Sequence, residues 1–140
     1  MNFFVLDASV WVARLVPQDA FHQAAKNWLA HERVAGSQFI SPSLLLAEVA
    51  GAVSRRTTAV LGRKALKELE NLPGLRIVEM DNSLLLEAAA LAAGFRLRGA
   101  DSVYVAVAKR LDLPLITFDV EQRERGKKSV VIPEIELPGG

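Results

Sequence analysis

Phe3-Phe4-Val5-Leu6-Asp7-Ala8-Ser9-Val10-Trp11-Val12 decides the fold. Four apolar residues run without a break and end on a carboxylate. A short, unbroken apolar run marks a strand buried on both faces, as strands of parallel sheets are. Asp7-Ala8-Ser9 closes the strand, and Val10 to Val16 reads as a helix stopped by Pro17. The same alternation recurs along the chain. Gln38-Phe39-Ile40, Leu75-Arg76-Ile77-Val78, Pro114-Leu115-Ile116-Thr117 and Val130-Val131-Ile132 read as four further strands.

Helices fill the intervals. Asp19 is placed to cap the second, and Ser41-Pro42 to start the third, with Ser as cap and Pro at the first helical position. The fourth runs from Gly62 to Leu72, and Asn82 or Ser83 opens the fifth. Asp101 opens the sixth, Ser102 to Leu111, whose Val103, Val105, Ala106, Val107 and Ala108 leave almost no polar face. A helix apolar all round is buried. The pattern predicts an α/β fold: one domain over residues 1–140, with about five parallel strands and helices on both faces. Residues 1–133 form its core and 134–140 a loose tail. In such sheets the crevice lies outside the carboxyl ends of the strands. Chemistry is therefore sought just after Leu6, Ile40, Val78, Thr117 and Ile132.

Composition narrows that chemistry. Of 140 residues, 51% are hydrophobic and 24% charged, which is too apolar for disorder. Absence of cysteine excludes disulfide scaffolds and thiolate metal sites. His22 and His31 are too few for a histidine-rich centre. No apolar run approaches the roughly 18 residues that span a bilayer. The 3–6 run lacks a basic leader and reads as a strand, not a signal peptide, so a cytoplasmic protein without a membrane partner is expected. The 17 basic and 16 acidic residues give a net charge of +1, which leaves open how charge is distributed.

Asp7 and Asp119 directly follow the first and fourth strands, Glu48 sits inside the apolar run Leu44 to Val53, and Asp101 stands at the head of the buried helix. Each has an ordinary structural explanation. Asp7 and Asp101 fit as helix caps, Glu48 as a solvent-facing or arginine-paired residue, and Asp119 as a turn residue. Together they need four such explanations, whereas one divalent cation accounts for all. Mg2+ or Mn2+ takes oxygen ligands and offsets the repulsion of crowded carboxylates. Such an ion activates water toward a phosphodiester without a histidine base.

Four segments, in order, are similar to motifs of the PIN-domain ribonucleases, and among them the VapC-type toxins of toxin–antitoxin pairs. They are Val5-Leu6-Asp7-Ala8-Ser9-Val10, Ser41-Pro42-Ser43-Leu44-Leu45-Leu46-Ala47-Glu48-Val49, Gly99-Ala100-Asp101-Ser102-Val103-Tyr104-Val105-Ala106-Val107-Ala108, and Pro114-Leu115-Ile116-Thr117-Phe118-Asp119. The resemblance implies a Mg2+- or Mn2+-dependent endoribonuclease with Asp7, Glu48, Asp101 and Asp119 as catalytic acids. Asp7, Asp101 and Asp119 would ligate metal, with Glu48 either ligating or acting through water. Ser9 and Thr117 would support the site, and Glu121 is either an extra acid or a surface residue. The resemblance also implies a homodimer and a small antitoxin protein that blocks the site.

RNA needs cationic surface. Arg123, Arg125, Lys127 and Lys128 follow Asp119 and are expected as a rim, against the alternative of a salt-bridged face with Glu121 and Glu124. Arg55-Arg56 and Arg96/Arg98 either extend that surface or serve as helix-end charges. Two rival phosphate chemistries lack residues they require. A receiver domain needs paired acids at the first site and a late lysine, and a haloacid-dehalogenase-like phosphatase needs Asp where Ser9 stands. A non-catalytic PIN-like RNA- or protein-binding module remains the alternative.

Overall fold

The computed structural model describes residues 2–135. Strands β1 (Phe3–Leu6), β2 (Gln38–Pro42), β3 (Leu75–Val78) and β4 (Leu115–Ile116) form one parallel sheet in the order β3-β2-β1-β4. Val5 and Leu6 in β1 are both fully buried. Successive strand residues face opposite sides, so both faces at the sheet's centre are covered, as an apolar run requires. Helices α1 (Ala8–Leu15) and α2 (His22–Val34) link β1 to β2, and α3 (Leu44–Arg56) and α4 (Ala59–Glu70) link β2 to β3. Helices α5 (Asn82–Phe95) and α6 (Gly99–Leu111) then carry the chain back past β1 to β4, and α7 (Val120–Gly126) follows.

That return creates the crevice. The first three strands build outward on one side of β1, and β4 adds on the other. The direction of winding reverses between β1 and β4, and doubly wound sheets bind ligands at that point, beyond the carboxyl ends of the strands. The register pairs Leu6 with Ile116, which sets Asp7 and Thr117 side by side at the edge.

The described residues contain four strands. Residues 130–132, expected as a fifth, run beside β4 with Val131 O accepting from Leu115 N at 2.9 Å, but no ladder forms. With only two residues, β4 is too short to template one, and Pro133 lacks an N–H to continue it. Of the expected tail, residues 136–140 lie outside the described residues. Helix α3 starts at Leu44 because Pro42 stays in the sheet opposite Val78 and Ser41 Oγ donates to Leu6 O at 2.6 Å. Asp19 accepts from Phe21 N at 2.8 Å and so closes the turn before α2. Thr58 caps α4, which starts at Ala59, three residues before Gly62, and Asp81 caps α5. Helix α6 begins at Gly99, two residues before Asp101.

Buried α6 packs against β1, β2 and β4, while α3 and α4 pack along each other. Gly62 lets α3 and α4 approach that closely. A Cβ there would lie 2.8 Å from both Ala50 O and Ser54 Cβ, against backbone and short side chain that have no room to move. Gly62→Ala is expected to destabilise the protein by about 1–3 kcal/mol through overpacking, despite alanine's helix preference of about 1 kcal/mol. The midpoint of urea unfolding reads this, and an unchanged or higher midpoint would show that the helices can part.

Candidate active site

Asp7 leaves β1 at the crevice and caps α1. Its Oδ1 accepts from Ser9 N at 3.1 Å and Ser9 Oγ at 2.6 Å, and its Oδ2 accepts from Thr117 Oγ1 at 2.5 Å. Ser9 Oγ in turn accepts from Phe118 N at 2.9 Å, which ties the start of α1 to the segment after β4. Asp7 is only 4% exposed, and its hydrogen-bond partners are hydroxyls and a backbone N–H, not cations. Burial pushes its carboxyl up to about 7; the Ser9 and Thr117 hydrogen bonds offset part of this, and Asp101 adds repulsion.

Asp101 is the third residue of α6, within its first turn, and Asp119 caps α7 by accepting from Gln122 N at 2.9 Å. Arg98, just before α6, joins them. Its Nε donates to Asp101 Oδ2 at 2.8 Å, its Nη2 to Asp119 Oδ2 at 2.6 Å, and its Nη1 lies 3.4 Å from Glu121 Oε2. Burial lifts the Asp101 carboxyl above its ordinary value even against the Arg98 pairing, with Asp119 and Glu48 adding repulsion. Burial also opposes ionisation of Asp119, but the Gln122 N–H and the Arg98 guanidinium outweigh it and hold that carboxyl low.

Glu48 projects from α3 and accepts from Tyr104 Oη at 2.5 Å. Burial, then this bond, keep the Tyr104 phenol protonated far above its usual range. Fully buried Gln122 completes the frame, donating from Nε2 to Asp101 O at 3.0 Å with Oε1 3.3 Å from Thr117 Oγ1. The four acids named from sequence thus come from four separate segments and lie at one end of the sheet, near enough for Asp101 to be repelled by Asp119 and Glu48 and to repel Asp7. Ser9 and Thr117 both hold Asp7, and Glu121 is drawn in by Arg98 and by Arg125, whose Nη1 is 2.6 Å away.

The expected basic rim is placed differently. Arg123 Nη2 donates to Thr117 O at 2.9 Å, bracing the loop that carries Asp119. Arg125 donates to Arg96 O, and Lys127 pairs with Glu124 at 2.8 Å. Lys127 and Lys128 line a cavity with Lys109 near the carboxyl end of α6, whereas Asp101 is at its amino end. Sequence reasoning missed Arg98, Gln122 and Tyr104 as parts of the site. Two left a signal, since Arg98 and Tyr104 flank Asp101 at three-residue spacing, where helical residues are neighbours.

No three His, Asp or Glu side chains among the described residues are gathered closely enough to hold a metal. Arg98 takes the Oδ2 oxygen of both Asp101 and Asp119. The donor set nevertheless fits a hard cation: all the candidate ligands are carboxylate oxygens, and buried Asp7 lacks a counter-charge among the described residues.

Residues 4–128 match the PIN domain family. The chain belongs to that family. Its fold is that of VapC-type PIN proteins. VapC20 of Mycobacterium tuberculosis, a Sarcin-Ricin loop cleaving toxin, superposes with a TM-score of 0.76 at 18% identity, over 86% of this chain and 93% of that one. VapBC2 from Rickettsia felis, bound to a DNA fragment from its promoter, gives 0.72 at 14% identity, over 96% and 99%. FitAcB from Neisseria gonorrhoeae gives 0.69 at 21% identity, over 93% and 96%. A search of curated proteins returns no match. No helix among the described residues of this PIN domain is long and apolar enough to cross a membrane.

Proposed function

We propose that this PIN domain is a Mg2+- or Mn2+-dependent endoribonuclease and the toxin of a toxin–antitoxin pair, working in the cytoplasm as a homodimer. One observation carries the catalytic part. Four acids lie near one another where the sheet's winding reverses, and the most buried of them, Asp7, lacks a cation among the described residues. Asp7, Asp101 and Asp119 would hold the ion, with Glu48 acting directly or through water. The bound ion would polarise the scissile phosphoryl group and lower the pKa of the attacking water. Ser9 and Thr117 fix both Asp7 oxygens, Gln122 ties Thr117 to the backbone of Asp101, and Arg98 supplies a guanidinium of the right charge for a phosphate. The antitoxin is supported by the fold shared with the VapBC and FitAB proteins, and the dimer follows from the resemblance to VapC-type toxins.

The non-catalytic alternative draws on Arg98, which already neutralises Asp101 and Asp119. Cleavage separates the two. Protein freed of any partner is expected to cut RNA with Mg2+ or Mn2+, to stop in excess chelator, and to lose at least about 100-fold in rate as Asp101→Asn. Metal-independent cutting, or full activity in that variant, would overturn the nuclease reading. RNA binding without cleavage under any metal condition would establish the other.

A further inference from the structure

We propose that the groove along α3 seats the RNA strand beside the scissile phosphate, stacking a base on Phe118 and Phe21 and holding a phosphate with Arg55 and Arg56. The inference rests on the nuclease reading and names the substrate track of that site. A cavity of about 540 Å³ opens directly beside the acids, with Glu48 and Asp119 on its wall together with these four residues. Glu48, Ala52, Arg55 and Arg56 lie at helical spacings of four, seven and eight, so one face of α3 lines the groove. Along that face the helix rises ~12 Å from carboxylate to guanidinium. Charge therefore changes sign along the groove, acidic where a metal would sit and basic where the strand would leave.

The aromatic pair sits between these ends. The Phe21 and Phe118 rings stack with centroids 4.8 Å apart and planes within 5° of parallel. Phe118 stands between Thr117 and Asp119 in sequence, and its N–H is anchored on Ser9 Oγ. Its ring is thereby fixed to the catalytic segment. Bases stack on such platforms irrespective of sequence. Asp19 ties the cation to the platform: Oδ2 accepts from Arg56 Nη1 at 2.7 Å and Oδ1 from Phe21 N. Arg55 lies over Gly51, with Nη1 3.1 Å from where a Cβ there would stand, and pairs with no carboxylate among the described residues. Two arginines against Asp19 leave this end positive, whereas Arg125 on α7 and Lys127 just after it are each paired with an acid.

Binding of short fluorescein-labelled single-stranded RNA, read by polarisation in excess EDTA, tests the groove apart from cleavage. The Arg55→Gln/Arg56→Gln double variant is expected to bind roughly 10-fold more weakly, with a salt slope flatter by about one to two. Phe118→Leu should weaken binding about 10-fold or more at low and high salt alike. Lys127→Gln/Lys128→Gln, at the far end of α6, should leave it unchanged. Thermal melts confirm folding, and should Phe118→Leu not fold, the arginine variant decides. Failure of wild type to bind, or wild-type binding by the Arg55/Arg56 variant, overturns the proposal. So does RNA binding that survives in that variant while a co-expressed small protein is lost, because the groove then belongs to a protein partner. Groove-dependent binding without cleavage would retain the track and remove the nuclease reading; metal-dependent cleavage with groove-independent binding would do the reverse.

Discussion

Asp7→Asn is expected to abolish cleavage and, in the metal-free protein at neutral pH, to raise stability. Both follow from one fact: a carboxylate that is 4% exposed has two hydroxyls and a backbone N–H for partners, and no cation. Burial lifts its folded-state pKa from 3.8 to about 7. Between those values the folded chain keeps a proton that the unfolded chain has released. The unfolded state then binds fewer protons, so stability falls as pH rises through this window. Below pH ~4 the penalty is absent, and above pH ~7 it is complete, on the order of 2–4 kcal/mol. Asparagine remains a good N-cap, still accepts from Ser9, and carries no charge to bury. In chelator the advantage of Asp7→Asn should grow from near zero at pH 4 to its maximum by pH 8, read from urea midpoints. With saturating Mg2+ it should shrink, since only the wild type offers the ion a charged ligand. A variant less stable than wild type at pH 8 in chelator would show that the Asp7 charge is already compensated by groups other than a metal.

That trade explains why this site was legible in the sequence. An acid directly after an unbroken apolar run is costly unless it has a task, and such residues stand out by position alone. Asp7 and Asp119 fall at the two strand ends flanking the winding reversal, which strand order dictates. Glu48 and Asp101 stand out because Leu44 to Val53 and Val103 to Ala108 beside them are nearly all apolar. What stayed hidden was set by single contacts. Helix α7 lacks an apolar stripe, so periodicity missed it; Asp119 and Gln122 form it through one capping bond. The missing fifth strand depended on how short β4 is, and two residues leave no pattern to count. Between a basic rim and a salt-bridged face the sequence left the choice open for a different reason. Spacing puts Arg123 near Asp119 but does not encode direction, and its guanidinium turns inward onto Thr117 O.

Arg98 offers the sharpest test of the proposed metal site, because its guanidinium stands where the ion's charge would be needed. It bonds Asp101 at 2.8 Å and Asp119 at 2.6 Å and lies 3.4 Å from Glu121. Its side chain is 52% exposed, so solvent screens these pairs and each contributes at most about 1 kcal/mol. Acting together they would impose a cost on a divalent cation at the proposed site, which would compete with the arginine for the Asp101 and Asp119 carboxylates. Arg98→Ala removes that competitor. Apparent affinity for Mn2+, measured by titration calorimetry, is expected to rise about 10-fold, equivalent to roughly 1.4 kcal/mol. Metal-free protein should melt a few degrees lower, because three acids lose their shared cation, and saturating Mn2+ should close that gap. The two readouts separate competition from simple bracing. If Arg98 only braces the start of α6, the melting loss persists in saturating metal and Mn2+ affinity does not move. If it competes, affinity rises while stability with metal is restored, and any fall in cleavage rate then reports what the guanidinium contributes to the phosphate itself.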